Sequence, residues 1–214
     1  MAKKTHNSPE EARAAILDAA EETVFQVGPA GLRISAVAKK AGMAHPNIIH
    51  HFGSREGLIN ALAERVGERA TERITNAISE ALNAPEQDKV AALTHVLDTA
   101  YPGDEGRVAV WLHLSGAESS LKPNMQRIVE LSHELRKSIN DEVDFGVTNR
   151  LVMLVTLALV GEVVSGAGIK DALGFGSEES NRAHFRQWLA EILLKLSDEE
   201  LLTTGGNNNP TSDN

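Results

Sequence analysis

From Ser8 to Leu196 the apolar residues return at three- and four-residue intervals, and no run alternates strictly between apolar and polar. A half-buried strand needs side chains of period two, so this pattern offers a sheet nothing to build on. The chain must instead bury helix faces against one another. The fold class expected is all-α, with about nine helices.

The punctuation agrees. In "SPEEARAAILDAAEETVFQVG", Ser8 suits an N-cap, Pro9 suits the first helical position, and Glu11 completes a Ser-x-x-Glu capping box. Ile16, Ala20, Val24 and Val27 form its apolar stripe, and Gly28-Pro29 stops it. A second helix is expected at Ser35 to Ala41, with Val37, Ala38 and Ala41 inward and Gly42 in the left-handed C-terminal position. A very short third helix runs from near Pro46 to Phe52, and a long fourth starts at the natural N-cap Ser54 and runs toward Asn83. Beyond it the candidates are Glu86–Ala100, Asp104–Ser119, Asn124–Val143, Thr148–Ala167 and Ser177–Leu196. Breaks are expected at Tyr101-Pro102-Gly103, Lys122-Pro123, Phe145-Gly146 and Gly174-Phe175-Gly176, and the closing "TTGGNNNPTSDN" reads as disordered.

Composition narrows the function classes. With 214 residues, 42% of them hydrophobic, the chain can bury a substantial core, and with 4% aromatics that core must be mostly aliphatic. There is no cysteine, which excludes disulfides, thiolate metal sites and a cysteine nucleophile. Met1–Pro9 is polar and basic, unlike a signal peptide. The most apolar run, "LVMLVTLALVGEVV" from Leu151 to Val164, is interrupted by Glu162 and reads as a buried helix rather than a bilayer span. A cytoplasmic protein with no membrane partner is expected.

The net charge of −9 is unevenly spread. Residues 1–56 hold seven Lys/Arg against six Asp/Glu, net +1, which leaves −10 for the remainder, and four of the eight histidines fall in that first segment. Such asymmetry points to a small anion-facing module on an acidic body.

That module contains "AHPNIIHHFGSREGL", residues 44–58. Two helices joined through Gly42-Met43-Ala44 have the spacing of a helix-turn-helix. At about 100° per residue, Ile48 and Phe52 share one side of the third helix, flanked by His51. Pro46, Asn47, Ile49 and His50 fall on the other. An exposed face carrying an isoleucine, an amide and an imidazole makes sense in a DNA major groove. There Asn47 can pair with adenine, Ile49 or Pro46 can touch a thymine methyl, and His50 can donate to a base or a phosphate. Pro46 presets the helix and is expected to hold His45 extended. Gly53-Ser54-Arg55, opening the fourth helix, reads as a phosphate clamp, with Arg33 and Ser35 similarly placed on the second.

Residues Ile16 to Arg65, above all "AGM" and "HHFGSREGL", resemble the N-terminal DNA-binding domain of the TetR family of transcriptional repressors. The resemblance implies an all-helical homodimer, with three N-terminal helices on DNA and a larger C-terminal body holding a small-molecule pocket and the dimer interface. It implies that His45, Pro46, Asn47, Ile49 and His50 face the groove, and that His51, Arg55 and Arg33 meet phosphate. Two departures stand out: the family's usual tyrosine is Ile49 here, and its common Ser-Lys/Arg-Gly-Thr is Ala44-His45-Pro46-Asn47.

Other motifs give less. His45, His50 and His51 make no i,i+4 pair, and no cysteine or nearby carboxylate completes a zinc site, so no metal or cofactor is expected. "HELRK" at His133 lacks a protease's second histidine, and "GAGIKDALGFG" follows a helix, not a strand. No catalytic pattern is present, so no enzyme is expected. Ala158, Gly161, Ser165 and Gly168 recur at helical spacing, either for close packing within one chain or for a dimer interface. In the second case they would join Phe185, Trp188, Leu189, Ile192, Leu193 and Leu196 in a four-helix bundle. His95, Tyr101, Trp111, His113, Glu118 and Met125 are the candidate ligand-pocket residues. The domains expected are an N-terminal arm (1–8), a DNA-binding domain (9–56), a connecting helix (57–84), a ligand-binding and dimerisation body (85–200) and a tail (201–214). The function expected is a repressor on palindromic operator DNA, released by a small-molecule effector. The alternatives are a regulator that senses nothing, or a helical-bundle enzyme or carrier.

Overall fold

The computed structural model describes residues 8–115, 121–140, 142–175 and 180–196. These form nine α-helices and no strand: α1 (Pro9–Gly31), α2 (Ile34–Lys40), α3 (His45–Phe52), α4 (Arg55–Leu82), α5 (Lys89–Ala100), α6 (Gly103–Leu114), α7 (Leu121–Lys137), α8 (Phe145–Ala172) and α9 (Ser180–Lys195). A single 3-10 turn, Glu86–Asp88, leads into α5.

The caps lie where the sequence puts them. The Ser8 hydroxyl accepts from the Glu11 amide at 3.1 Å, and the Ser8 amide donates to the Glu11 carboxylate at 2.8 Å. At the end of α2 the Met43 amide donates to the Ala38 carbonyl (2.9 Å) and the Gly42 amide to Lys39 (3.3 Å), with Gly42 at φ 65°. This pair of bonds closes a helix in the Schellman manner and needs a left-handed residue at the glycine.

Several boundaries differ, each for a local reason. Gly28 (φ 71°, ψ 167°) breaks α1, but a further turn follows over Pro29–Gly31. That return brings Gly31 against the Val27 side chain, and Leu32 (1% exposed) fills the core while Val27 stays 55% exposed. Pro123 does not break a helix; it lies in the first turn of α7, where its missing N–H is not needed. Phe145-Gly146 likewise opens α8, capped by the Asp144 carboxylate accepting from the Val147 amide at 2.8 Å. His45 is the first residue of α3, and Ala44 (ψ 145°) is the extended one.

The chain divides into two compact units, Met1–Ala70 with Tyr101–Asn124, and Thr71–Ala100 with Met125–Asn214. The first unit therefore takes in α6, which the expected boundaries assigned to the C-terminal body. Its core joins Ile16, Ala20 and Val24 of α1, Val37 of α2, Ile48 of α3, Leu58, Leu62 and Val66 of α4, and Val108 and Leu112 of α6. Burying each larger aliphatic side chain contributes about 1.5–3 kcal/mol. Ion pairs frame this core. Arg65 reaches Asp18 and Glu21 at 2.7 Å each, and Arg69 bridges Glu21 on α1 (2.5 Å) to Glu105 on α6 (2.9 Å). Burial opposes the Arg69 charge, but the Glu21 hydrogen bond and the two carboxylate charges outweigh it and hold its pKa above the usual value.

In the second unit α5 packs against α9. Arg186, 2% exposed, donates through Nε to Glu162 of α8 (2.9 Å) and through one terminal nitrogen to the Leu97 carbonyl (2.9 Å). Lys170 closes on the other Glu162 oxygen at 2.9 Å. Glu162 thus lies inside its own unit, but the reading of this run as a buried helix holds along one edge only. The helix has a buried edge through Leu151, Leu159, Glu162 and Gly166, but Met153, Leu154, Leu157 and Val164 are each more than half exposed. By length and composition alone α8 could cross a membrane.

Candidate nucleic-acid interface

Three short constraints place α3. Ile48 is fully buried, Phe52 packs half-buried on the same core, and Gly53 (φ 74°) turns the chain into α4 with its amide donating to the Ile49 carbonyl at 2.7 Å. The anchored side fixes the other by helical geometry. His45, Pro46, Asn47, Ile49 and His50 are all exposed, with Ile49 at 38%. His51 is half-buried between the two faces, its ring 5.6 Å from that of His50 and 6.3 Å from Phe52. Among the described residues no three His, Asp or Glu converge as metal ligands.

Arg33 is the extended N-cap residue of α2 and Ser35 lies in its first turn; both are exposed. No acidic residue occurs between Glu22 and Glu56, so the whole of α2, α3 and their turn carries only neutral or basic side chains. Lys40 is nevertheless spoken for, pairing with Glu22 at 2.6 Å.

The Gly53-Ser54-Arg55 corner departs from the phosphate clamp expected of it. Arg55 turns inward, donating through Nε to the Leu32 carbonyl (2.8 Å) and through one terminal nitrogen to Pro29 (2.6 Å) and Ala30 (3.2 Å). These carbonyls lie around the end of α1, where Pro29 also accepts from the Leu32 amide at 3.3 Å, so Arg55 ties the last turn of α1 to the start of α4. Ser54 is exposed, but its hydroxyl accepts from the Gly57 amide at 3.0 Å. Glu56 sits in the same first turn, and backbone hydrogen bonding, then Ser54, hold its carboxyl below the usual range. A carboxylate so stabilised works against an anion at that helix end.

One residue the sequence reading missed belongs here. Arg13 of α1 lies with its guanidinium 4.3 Å from the Phe52 ring centroid and donates to the His51 carbonyl at 3.1 Å. It braces the C-terminal end of α3 while remaining exposed. The contact joins residues 38 apart, so no local spacing announces it.

The candidate pocket residues are not brought into one unit. Tyr101, Trp111 and His113 belong to the first, and His95 and Met125 to the second. His95 and His113 are exposed, Tyr101, Trp111 and Met125 half-buried, and Glu118 lies outside the described residues. Burial pushes the Tyr101 phenol above its usual value. An open cleft of about 440 Å³ lies in the first unit instead, lined by Asp18, Glu21, Glu22, Phe25, Arg69, Asp104, Glu105 and Val108, none of them foreseen.

Of the candidate dimer residues, Leu189 is buried inside its own unit (7% exposed), and Ala158, Phe185, Ile192, Leu193 and Leu196 are half-buried. Trp188 is 55% exposed, and Gly161, Ser165 and Gly168 face outward. Among the described residues, a Cβ added at Gly161 or Gly168 would meet nothing within 4 Å, so these glycines serve no close packing there.

Comparison with known proteins points the same way as the geometry. Residues 16–62 match the sequence pattern of bacterial regulatory proteins of the tetR family. The HTH-type transcriptional regulator BetI of Stenotrophomonas maltophilia is 32% identical over 54 residues, 25% of this chain; the chain spans only 28% of that relative. Among solved structures, Salmonella enterica GusR aligns with a TM-score of 0.62 at 19% identity, over 90% of this chain and 100% of its own. The multidrug binding protein EbrR in complex with imidazole aligns with a TM-score of 0.61 at 20% identity, over 89% and 98%. At such identities the structural likeness is one of fold, and it extends through both units. Residues 16–62 thus carry the sequence pattern of bacterial regulatory proteins of the tetR family, on a chain whose fold is similar to that of these solved structures.

Proposed function

We propose that this protein is a transcriptional regulator that binds operator DNA as a homodimer, with α3 of each copy in the major groove. The observation that carries the reading is the outward face of α3: a short helix anchored by one fully buried isoleucine leaves Asn47, Ile49 and His50 in solvent on a surface free of acids. Asn47 would read an adenine edge and Ile49 a thymine methyl. Arg33, Ser35, His51 and Arg13 would meet the phosphates beside them, while Arg55 holds the unit together.

The exposed stripe of α8 supports the dimer. Leu154, Leu157 and Val164 line up with Gly161 and Gly168, a face suited to close approach by a second copy, and Trp188 adds an exposed aromatic on α9. Two copies would straddle a palindrome with half-sites about 34 Å apart. EbrR, to which the fold is similar, binds imidazole; by that analogy we place a small-molecule effector in residues 85–200, whose binding would favour a non-operator state and release the repressor. It acts only if its affinity differs between the two states.

Selection of duplexes from a random pool, followed by titration of the winner with Asn47→Ala, tests the central point. Loss of about 1–3 kcal/mol is expected, concentrated on sequences carrying one particular adenine. Equal affinity of variant and parent for every duplex would remove Asn47 from the base-reading surface.

A further inference from the structure

The permanent positive charge on the helix-turn-helix is smaller than its sequence implies. Of the Lys and Arg residues between Thr23 and Arg55, Arg55 is spent on carbonyls and Lys40 on Glu22. Arg33 and Lys39 remain, exposed and without an ion pair among the described residues. Against these two, α3 carries three imidazoles: His45 and His50 exposed, His51 half-buried beside His50. Protonation would therefore more than double the charge presented by this surface.

The charged groups on the elements packed around α3 mostly have partners of their own. On α1, Arg13 meets the His51 carbonyl, Asp18 and Glu21 pair with Arg65, Glu21 also with Arg69, and Glu22 with Lys40, while Glu10 and Glu11 lie in its first turn, Glu11 at the Ser8 amide. α2 carries Arg33, Lys39 and Lys40, and the start of α4 carries Arg55 and Glu56, 3.6 Å apart. Neither α2 nor α3 carries a carboxylate, and among the described residues no ion pair reaches His45, His50 or His51, so a bound polyanion would supply the counter-charge.

We infer that His45 and His50 engage DNA as imidazolium ions, donating from both ring nitrogens, so that operator binding takes up protons. This rests on the reading that α3 faces the duplex. A neutral imidazole offers one donor and one acceptor, and an acceptor nitrogen set against a phosphate or a guanine edge is repelled. The cation is donor-only, matches phosphate oxygens and guanine O6 and N7, and is stabilised by the polyanion beside it. Positions meeting these two side chains should accordingly be acceptor-rich, not the amino groups of cytosine or adenine.

The sign follows from linkage. An imidazole titrates near pH 6.5 in water, and a nearby anion raises that value in the complex. The added affinity is then fully present below the free value and is lost as pH rises through the value in the complex. Each unit by which DNA raises the value is worth tenfold.

The test uses the full chain and a duplex selected by it from a random pool, titrated at constant ionic strength between pH about 6 and about 8. The parent should lose roughly 10- to 100-fold in affinity across that range. His45→Gln/His50→Gln should lose most of that pH dependence, leaving at most the share of His51, and His50→Arg should keep more affinity than the parent at the alkaline end. Calorimetry in buffers of differing ionisation enthalpy gives an independent reading: the parent should take up about one proton or more near neutral pH. A parent with no pH dependence and no proton uptake, or a double Gln variant as pH-sensitive as the parent, overturns the inference while leaving DNA binding intact. Failure of the pool to yield any duplex bound at any pH overturns the regulator reading itself, and this one with it.

Discussion

At the scale of single residues, two arginines exchange the roles their positions invite. Arg55 follows α3 in sequence, yet its guanidinium serves carbonyls 23 to 26 residues earlier. Arg13 lies far upstream and braces the end of α3. Arg55→Ala should therefore destabilise the protein by about 1–3 kcal/mol, the cost of leaving carbonyls without their charged donor. The variant's DNA affinity should keep the parent's salt dependence, whereas Arg33→Ala should lower the slope against log salt by roughly 0.9. Denaturant titration and binding across salt concentrations separate the two; a reduced slope for Arg55→Ala would return it to the phosphates. Tyr101 offers a second check, being the single tyrosine of the chain. Burial raises its phenol, so the folded state holds the proton after the unfolded chain has lost it, and the associated stability is present below pH about 10 and lost above it. Ultraviolet titration of the phenolate should give a midpoint above 10.0 in the native protein, falling back on unfolding. The outward set on α3 was readable from 100° steps because its anchor, Ile48, is strictly local. Partners tens of residues apart leave no such trace.

Among the helices, boundaries follow what each first or last turn has to satisfy. Pro123 and Gly146 look like breakers in a one-dimensional reading, but both fall in first turns, where a missing amide or side chain costs little. Gly57 shows the opposite case. Glycine in a helix ordinarily costs stability, but here a Cβ would strike the Phe52 carbonyl oxygen, because α3 closes tightly on the start of α4. Gly57→Ala, which in an open helix gains about 1 kcal/mol, should here lose about 1–3 kcal/mol through that clash. Thermal unfolding measures the sign, and a stabilised variant would mean that the α3–α4 corner relaxes freely. The glycines of α8 are a third case. Among the described residues Gly161 and Gly168 carry neither a left-handed backbone nor a close contact, which leaves room there for something else to approach.

For the whole molecule, the exposed face of α8 is the feature a single chain leaves unresolved. Leu154, Leu157 and Val164 form an apolar band larger than isolated surface leucines would make, and contiguous bands of that kind mark interfaces. Leu157→Arg, at a side chain 63% exposed, should leave helix content and denaturant stability of the monomer nearly unchanged while dispersing the proposed dimer. Sedimentation at several concentrations reads this directly; a dimer that survives the substitution would require another face. The grouping of α6 with the N-terminal helices belongs to this scale too. Its Val108 and Leu112 enter the core that holds α3, and Arg69 ties its Glu105 to Glu21 of α1.

The all-helical class, the cap residues, the inward and outward sides of α3 and the neutral-to-basic character of the helix-turn-helix were written in the sequence alone. Each depends on spacing within one turn or a few, and helical geometry converts such spacing directly into position. The inward turn of Arg55, the brace from Arg13, the steric reason for Gly57 and the joining of α6 to the first unit were decided by tertiary structure. They arise where segments distant in the chain meet, and a contact of that kind is fixed by how whole helices pack, which no local pattern encodes.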